Sequence, residues 1–147
     1  MTTLKHSFGR YINMRLERVA LTARGAADRV YRRELGMDIE HIRILRIVSW
    51  KPGKPVSWVV RESNLDRTLV SRIISTLVKQ GLLQRTISPS DARQFLLTTT
   101  PEGEERVREA NVLGDALNLD LLSVLDQHEL ETLERCLQKL SQWKPNY

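Results

Sequence analysis

The clearest amphipathic pattern in the chain lies in residues 66–80, which glycine follows at position 81. At about 100° per residue, one side of the predicted helix is aliphatic and the other carries cations and small hydroxyls. The aliphatic side consists of Val70, Ile73, Ile74 and Leu77, and the polar side of Arg67, Thr68, Ser71, Arg72, Ser75 and Lys79. No acidic residue lies between Arg67 and Lys79. The polar side of this helix is therefore positively charged along its whole length.

The polar groups of this helix are those that bind nucleic acids. Guanidinium, ammonium and hydroxyl groups fit base edges and phosphate oxygens. A solvated face that happens to be basic is the ordinary alternative, because basic helix faces are common. The helix alone does not distinguish the two interpretations.

The segments that flank residues 66–80 favour nucleic-acid binding. Pro55–Ser63 upstream is long enough for one short helix. Leu82–Ser88 and Gln94–Thr99 downstream are rich in strand formers, and the turn formers of residues 89–93 separate them. A short helix, a turn, a second helix and a hairpin form the order of a winged helix-turn-helix. In such units the second helix lies in the major groove.

Several segments of this region together resemble the MarR-type regulators. Leu65–Arg72, Leu77 and Gly81–Arg85 are similar to the recognition helix and first wing strand of that family. Asp91–Arg93 and Thr100–Gly103 are similar to its wing and to the exit into the next helix. The set covers about 40 residues and is fairly specific as a combination.

The resemblance implies a mainly α fold with a small β-hairpin wing, in which a winged helix-turn-helix DNA-binding domain joins a helical dimerisation region. Residues 1–147 then form a single MarR-like domain. Residues 37–100 are the winged helix-turn-helix, and residues 7–36 with 101–144 are the dimerisation region, which makes a homodimer in that family. Thr99 stands where the family usually has leucine, and this departure leaves the assignment intact.

Helical periodicity outside the winged helix-turn-helix also predicts surfaces for a second chain. Apolar residues recur at three and four through residues 7–35, and Gly36 supplies a stop. A helix of about 28 residues spans roughly 40 Å, more than a domain of this size covers alone. Asp126 and Glu129 predict a capping box. The helix that follows carries its apolar residues at the spacing of a helix–helix seam: Leu130, Leu133, Leu137, Leu140 and Trp143. We further expect Asp38, Ser57 and Thr100 to cap helices.

The distribution of charge separates the two ends of the chain. The net charge is +5, and residues 1–50 carry 10 basic and 5 acidic side chains. Residues 51–100 carry 8 and 3, and residues 101–147 carry 5 and 10. The first two thirds thus suit a polyanion, and the last third does not. One cysteine, no signal-peptide pattern and no run long enough to span a membrane predict a cytoplasmic protein.

Roles for individual residues follow from the winged-helix interpretation. Arg67, Thr68, Ser71 and Arg72 are predicted to meet bases or nearby phosphates, and Ser75 shares their face. Lys54, Lys79 and Arg85 are predicted to meet phosphates. Arg93 lies at the hairpin tip, where an arginine either stays solvated or enters a narrow minor groove. Asp91 is expected to support the wing by pairing with Arg93.

Other chemistry finds little support in the sequence. His6, His41 and His128 are far apart and lack metal-ligand spacing, so we predict no metal and no cofactor. Neither a phosphate-binding glycine loop nor a nucleophile motif is found, so an enzyme is not expected. Cys136 is interpreted as a small apolar side chain, buried or half-buried, rather than a redox sensor.

The resemblance also implies a small-molecule effector, since members of that family often bind anionic aromatic compounds. The candidate ligand-binding residues are Tyr11, Arg15, His41, Arg46 and Trp50, although each has an ordinary interpretation as a core or surface residue. The predicted function is that of a homodimeric regulator of an inverted DNA repeat, a repressor released by such a ligand, with no membrane partner. A helical protein–protein adaptor with a vestigial winged helix is the alternative.

Overall fold

The computed structural model describes residues 11–146, which form six helices and three short strands. The helices are α1 (Ile12–Leu35), α2 (Ile39–Trp50), α3 (Val56–Ser63), α4 (Arg67–Lys79), α5 (Pro101–Leu122) and α6 (Gln127–Ser141). The strands are β1 (Lys54–Pro55), β2 (Leu83–Ile87) and β3 (Phe95–Thr99). The predicted fold class, mainly α with a small β wing, is confirmed.

The chain forms two compact units that divide after Leu113, within α5. We call them unit 1, which ends at Leu113, and unit 2, which begins at Gly114. The core of unit 1 is built mainly from α2, α4 and the sheet. Its fully buried large side chains are Ile42, Ile44, Leu45, Val48, Val59, Val70, Ile73, Ile74, Leu77 and Leu97. The four aliphatic residues predicted for the 66–80 helix all belong to this core.

The sheet has one strand more than the predicted hairpin. β2 and β3 pair antiparallel with Leu83 opposite Thr99 and Ile87 opposite Phe95. β1 adds to the other edge of β3, with Lys54 opposite Leu97, so the order is β1-β3-β2. The sequence does not predict this third strand, because a strand of two residues has no periodicity.

Helix α1 begins at Ile12, and Tyr11 lies at its N-cap. Residues 7–10 of the predicted helix lie outside the described part of the chain. The helix ends as predicted at Gly36, whose φ of 64° is left-handed and suits glycine. Its second half packs on the core through the buried Tyr31, whereas its first half leaves Ile12 and Val19 each 55% exposed.

The predicted helix caps meet different outcomes. Thr100 caps α5 by accepting the Gly103 N–H at 3.0 Å, as expected. Ser57 does not cap α3, because the helix already begins at Val56. Asp38 occupies the N-cap position of α2 without making a side-chain cap. Its carboxylate lies 3.1 Å from Arg32, and Asp28 accepts the Ile39 N–H at 2.9 Å instead.

Gly103 lets the first turn of α5 approach the backbone of Leu82. A Cβ at Gly103 would lie 2.1 Å from the Leu82 carbonyl oxygen, which no side chain could tolerate without a backbone shift. The same carbonyl accepts the Thr100 N–H at 3.1 Å, and the Thr100 hydroxyl donates to the Gly81 carbonyl at 2.5 Å. These contacts fasten the start of α5 to the short segment that joins α4 to β2.

Unit 2 contains the end of α5 and all of α6. The predicted capping box is confirmed, since Asp126 accepts the Glu129 N–H at 2.8 Å and Glu129 accepts the Asp126 N–H at 2.9 Å. α6 has no buried residue. Cys136 is also exposed, so the expectation that it is buried or half-buried is wrong for the single chain.

Candidate nucleic-acid interface

The two faces of α4 lie in opposite environments. Its aliphatic face is at most 2% exposed. Its polar face is open, with five predicted contact residues exposed: Arg67, Thr68, Ser71, Arg72 and Lys79. Across residues 11–146, no carboxylate pairs with any of the three cations. The polar face of α4 therefore offers three uncompensated positive charges to a partner.

A helix cap and the turn before it fix the start of α4. Asp66 accepts the N–H groups of Thr68 at 2.9 Å and Leu69 at 3.1 Å, which is the geometry of an N-cap. Asn64 between α3 and α4 has a left-handed φ of 54°. The buried Ser63 accepts the Leu65 N–H at 3.2 Å. The turn of the helix-turn-helix is thus fixed by side chains, and it sets the angle at which α4 leaves α3.

The wing, defined here as residues 83–99, is closed at its tip by short-range hydrogen bonds. The Ser88 N–H donates to the Gln94 carbonyl at 2.9 Å, and the Gln94 N–H donates to the Asp91 carbonyl at 3.0 Å. Arg93 is exposed at this tip. The predicted side-chain pair is not formed, since the Asp91 carboxylate accepts the backbone N–H of Arg93 at 3.0 Å. Asp91 orders the turn and leaves the Arg93 guanidinium free to reach outward.

Two residues predicted as separate DNA contacts bind each other. Arg85 on β2 donates from Nη2 to the Ser75 hydroxyl at 2.9 Å. Its guanidinium carbon also lies 5.9 Å from the centroid of the Phe95 ring. Ser75 is half-buried, unlike the other polar residues of the α4 face. These contacts join α4 to both strands of the wing.

Lys54 is exposed on β1, at the edge of the sheet, and its ammonium lies 5.8 Å from the Trp58 ring centroid. Trp58 also contacts Trp50, with the ring centroids 6.2 Å apart. Trp50 is 64% exposed, so its interpretation as a core residue is wrong. It lies at the last position of α2, where the chain leaves the core.

The five candidate ligand residues lie in different surroundings. Tyr11 and Arg15 are exposed at the start of α1. His41 is half-buried, and its Nδ1 has no hydrogen-bond partner within residues 11–146. Arg46 is engaged inside unit 1, and Trp50 lies on the surface. None of these side chains hydrogen-bonds to another of the five in the part of the chain that the structure describes.

The contacts of Arg46 could not be found from the sequence. Its guanidinium donates to the Tyr31 hydroxyl at 3.1 Å, the Ala110 carbonyl at 2.6 Å and the Asn111 side chain at 2.8 Å. These partners lie on α1 and α5, up to 65 positions away, so no local spacing connects them. Arg46 thus connects α2 to α1 and α5, and its Nε and Nη2 donors already have partners within the fold.

Glu104 is a second structural link that the sequence does not reveal. Its carboxylate accepts the Ser49 hydroxyl at 3.0 Å and also accepts the Thr99 hydroxyl. From the sequence alone, Glu104 is only an acid in the first turn of a helix. Glu104, which is half-buried, therefore connects α2, β3 and α5, whereas the cations of the α4 face are exposed.

Two other features are absent from the part of the chain that the structure describes. Among residues 11–146, no three His, Cys, Asp or Glu side chains lie close enough to hold a metal ion. None of the helices described combines the length and the apolar character needed to cross a bilayer.

These features define the class of protein. Helix α3, a fixed turn, an exposed basic α4 and a wing form a winged helix-turn-helix. Comparison with known proteins points to one family, because residues 35–94 match the sequence profile described as the MarR family. This match covers the winged helix-turn-helix and supports the resemblance to MarR-family transcriptional regulators that the sequence predicted.

Individual relatives agree with this assignment. A candidate transcriptional regulatory protein for the hcr operon of Thauera aromatica is 28% identical over 100 residues, which cover 66% of this chain and 58% of that protein. The chain thus spans less than two thirds of the length of that relative.

Solved structures share the fold at low identity. Bordetella bronchiseptica BpsR, whose DNA binding is regulated by 6-hydroxynicotinic acid, is 19% identical with a TM-score of 0.83 over 95% of this chain and 99% of that one. A mutant of Escherichia coli MarR complexed with operator DNA is 21% identical with a TM-score of 0.78 over 88% and 92%.

Proposed function

We propose that this chain is a sequence-specific, double-stranded DNA-binding transcriptional regulator that acts as a homodimer in the cytoplasm. The observation that carries the proposal is the polar face of α4, which is exposed, free of acids and held outward by a fully buried aliphatic face. A helix of this kind after a fixed turn is the element that enters the major groove in helix-turn-helix proteins. The related MarR structure with operator DNA supports this role for the fold.

The exposed residues of unit 1 would make three kinds of DNA contact: to bases, to phosphates and to the minor groove. Arg67, Thr68, Ser71 and Arg72 would meet base edges and nearby phosphates, because they occupy the exposed first half of α4. Lys54 and Lys79 would bind phosphates as single charges. Arg93 at the wing tip would enter the adjacent minor groove, where narrow A·T tracts concentrate negative potential.

The exposed apolar side chains of each unit support a homodimer. Within unit 1, the first half of α1 exposes Ile12, Leu16 and Val19. Within unit 2, six large apolar residues are 42% to 83% exposed: Leu119, Leu121, Val124, Leu137, Leu140 and Trp143. Surfaces of this kind mark protein–protein contacts. Two-fold symmetry would place two α4 helices about 34 Å apart, so the target would be an inverted repeat.

We further propose that the regulator is a repressor and that a small aromatic acid releases it from DNA. BpsR, which shares the fold, is regulated by 6-hydroxynicotinic acid. A ligand would act by changing the distance or angle between the two α4 helices, because the duplex fixes the spacing of its half-sites. Trp50 is exposed to such a ligand, whereas the unpaired Nδ1 of His41 is buried and the Nε and Nη2 donors of Arg46 are already used.

A selection experiment tests the proposal and identifies the operator in the same step. Purified protein would be used to enrich random duplex DNA, and the enriched duplex compared with a scrambled one by fluorescence anisotropy across salt concentrations. A regulator should enrich one inverted repeat and bind it at least about a thousandfold more tightly than the scrambled duplex. An adaptor with a vestigial winged helix would bind both duplexes weakly and alike.

The wing can be tested with the same duplex. Arg93→Ala should weaken binding to the enriched repeat while leaving the dimer intact, because Arg93 is exposed at the wing tip. Analytical ultracentrifugation would confirm the dimer. Unchanged affinity in this variant would remove the minor-groove contact from the mechanism.

A further inference from the structure

We propose that Arg85 is a positioning residue, which holds the wing at a fixed distance from α4 and does not bind a phosphate. The inference rests on the proposed DNA-binding function and names one of its specificity determinants. Arg85 would act together with Ser75 on α4 and Phe95 on β3. We call these three residues the wing strut.

The register of the wing explains why the strut forms. Arg85 lies opposite Leu97 on β3, and Phe95 is two residues further toward the tip. Residues diagonal to each other in this way share one face of a hairpin and are within reach of long or aromatic side chains. The guanidinium therefore lies near the Phe95 ring, at 5.9 Å, while its Nη2 reaches Ser75 at 2.9 Å. The Arg85 side chain thus links its own strand, β2, to two other elements, α4 and β3.

The outer part of the wing has little else to hold it. In β2 only Leu83 is buried, and in β3 only Leu97 is, so both buried residues lie on the inner side. Ile87 and Phe95, the pair nearest the tip, are 62% and 48% exposed. β1 pairs with β3 only as far as Leu96, so beyond that residue the wing is a two-stranded hairpin, which by itself is marginally stable in water. Among the described residues, the Arg85–Ser75 hydrogen bond is the only one that joins the wing to α4.

The strut matters because the two DNA-reading elements must fit one rigid duplex. The major groove that receives α4 and the minor groove that receives the wing tip lie at a distance set by the DNA. A wing free to swing would lose conformational entropy each time it bound. A fixed wing avoids that loss, so the strut should raise affinity for the specific site more than for other DNA.

Arginine and lysine differ in what they can do at this position. Both carry a positive charge that binds a phosphate. Only arginine has a planar group that donates a directed hydrogen bond while its face lies against an aromatic ring. Arg85→Lys therefore separates a positioning role from a charge role, and Arg85→Gln removes the charge altogether. Ser75→Ala removes the acceptor of the strut without touching Arg85.

The first test measures affinity for the enriched inverted repeat across salt concentrations. The strut predicts that Arg85→Lys, Arg85→Gln and Ser75→Ala each weaken binding roughly fivefold, as expected for one net hydrogen bond. It also predicts that the salt dependence of Arg85→Gln matches that of the wild type. Near wild-type binding by Arg85→Lys would overturn the proposal. So would a slope of log affinity against log salt that is lower by about 0.9 per protomer in Arg85→Gln.

The second test asks whether the strut acts through the wing tip. Arg93→Ala would be measured in the wild-type and the Arg85→Gln backgrounds. If Arg85 positions the wing, Arg93→Ala should cost clearly less affinity once the strut is gone. Equal costs in both backgrounds would show that the two arginines act independently, and would overturn the proposal.

The third test needs no DNA and separates failure of the strut from failure of the proposed function. Hydrogen exchange of the Ser88 amide, whose N–H is bonded to Gln94 at the tip, reports how often the wing opens. Exchange should accelerate in Arg85→Gln and in Ser75→Ala. It should stay unchanged in Ser71→Ala, the matched serine one turn earlier on α4. Unchanged exchange in the first two variants would overturn the strut. Faster exchange in a protein that prefers no inverted repeat would support the strut and reject the DNA-binding function.

Discussion

Helices α4 and α6 have similar lengths and similar amphipathic patterns, yet the chain covers only one of them. The 13 residues of α4 place four aliphatic side chains at no more than 2% exposure. The 15 residues of α6 bury none, and Leu137, Leu140 and Trp143 are 45%, 54% and 70% exposed. An apolar stripe in a sequence thus predicts that a surface will be covered. It does not say whether the same chain or a second one covers it.

The polar faces of the two helices differ as well. α6 carries acids and bases together, among them Glu131, Glu134, Arg135 and Lys139. A mixed face of this kind is an ordinary solvated surface. α4 carries cations and hydroxyls without any acid. Under the proposed function, α4 packs its apolar face in the core and binds DNA with its polar face, whereas α6 packs its apolar face on a partner chain.

The largest effect on stability should come from shortening one apolar side chain on each helix, Ile74 on α4 and Leu140 on α6. Ile74→Ala should lower the free energy of unfolding by about 2–5 kcal/mol, because it opens a cavity in the core of unit 1. Leu140→Ala should reduce stability mainly by weakening the dimer. Urea denaturation at several protein concentrations distinguishes the two. The loss in Ile74→Ala should not depend on concentration, and Leu140→Ala should weaken the concentration dependence. Equal, concentration-independent losses would contradict the comparison.

A charge on the apolar face of α6 should break the dimer. Leu137→Asp would place a carboxylate in the proposed interface, which costs several kcal/mol without a partner. Sedimentation velocity should then show a monomer at concentrations where the wild type is a dimer. Gln138→Asp, an exposed neighbour with the same new charge, serves as the control and should remain dimeric. A dimeric Leu137→Asp variant would move the interface away from α6.

Matched arginine substitutions test the polar faces. Arg72→Ala on α4 should weaken binding to the enriched repeat by about 1–3 kcal/mol per half-site, the range for loss of a specific base contact. Arg135→Ala on α6 should leave that affinity unchanged, since Arg135 lies in unit 2 and donates to Thr132. Anisotropy titrations with both variants provide the measurement. Comparable losses would mean that general charge, rather than the α4 face, drives binding.

The smallest expected effect concerns the two aspartate caps. Asp66→Ala and Asp126→Ala should each lower the free energy of unfolding by about 1 kcal/mol, since each removes a capping carboxylate. Only Asp66→Ala should also weaken DNA binding, because it frays the turn of α4 that carries Arg67 and Thr68. Thermal unfolding and anisotropy measure the two effects. A loss of DNA affinity in Asp126→Ala would connect unit 2 to the interface in a way that the proposal does not foresee.

The fold was largely predictable because its signals are local. The 3.6-residue periodicity of residues 66–80, the stop at Gly36 and the capping box at Asp126 each depend on neighbours a few positions away, and all three are confirmed. Short strands lack such a signal, so β1 was missed. The cap predicted at Ser57 is wrong for a related reason: capping residues are common, and the N-cap position of α3 is Pro55, two residues before Ser57.

The candidate site was predictable in its exposed part and not in its contacts. Arg67, Arg72 and Lys79 could be identified from one helical face, since an absence of acids is visible in the sequence. Arg85 and Ser75 are ten positions apart in the sequence, and their hydrogen bond depends on how β2 packs against α4. The predicted pairing of the Asp91 carboxylate with the Arg93 guanidinium is wrong, because the carboxylate accepts the backbone N–H of Arg93 instead, a choice that the sequence does not reveal.

Guanine protection on the enriched duplex tests the central claim most directly. Dimethyl sulfate attacks guanine N7 in the major groove, where the exposed face of α4 is proposed to lie. The proposal predicts two protected segments about 10 base pairs apart, centre to centre, and their loss in an Arg67→Ala, Arg72→Ala double variant that remains a folded dimer. Tight binding with no major-groove protection, or protection that survives the double variant, would contradict it.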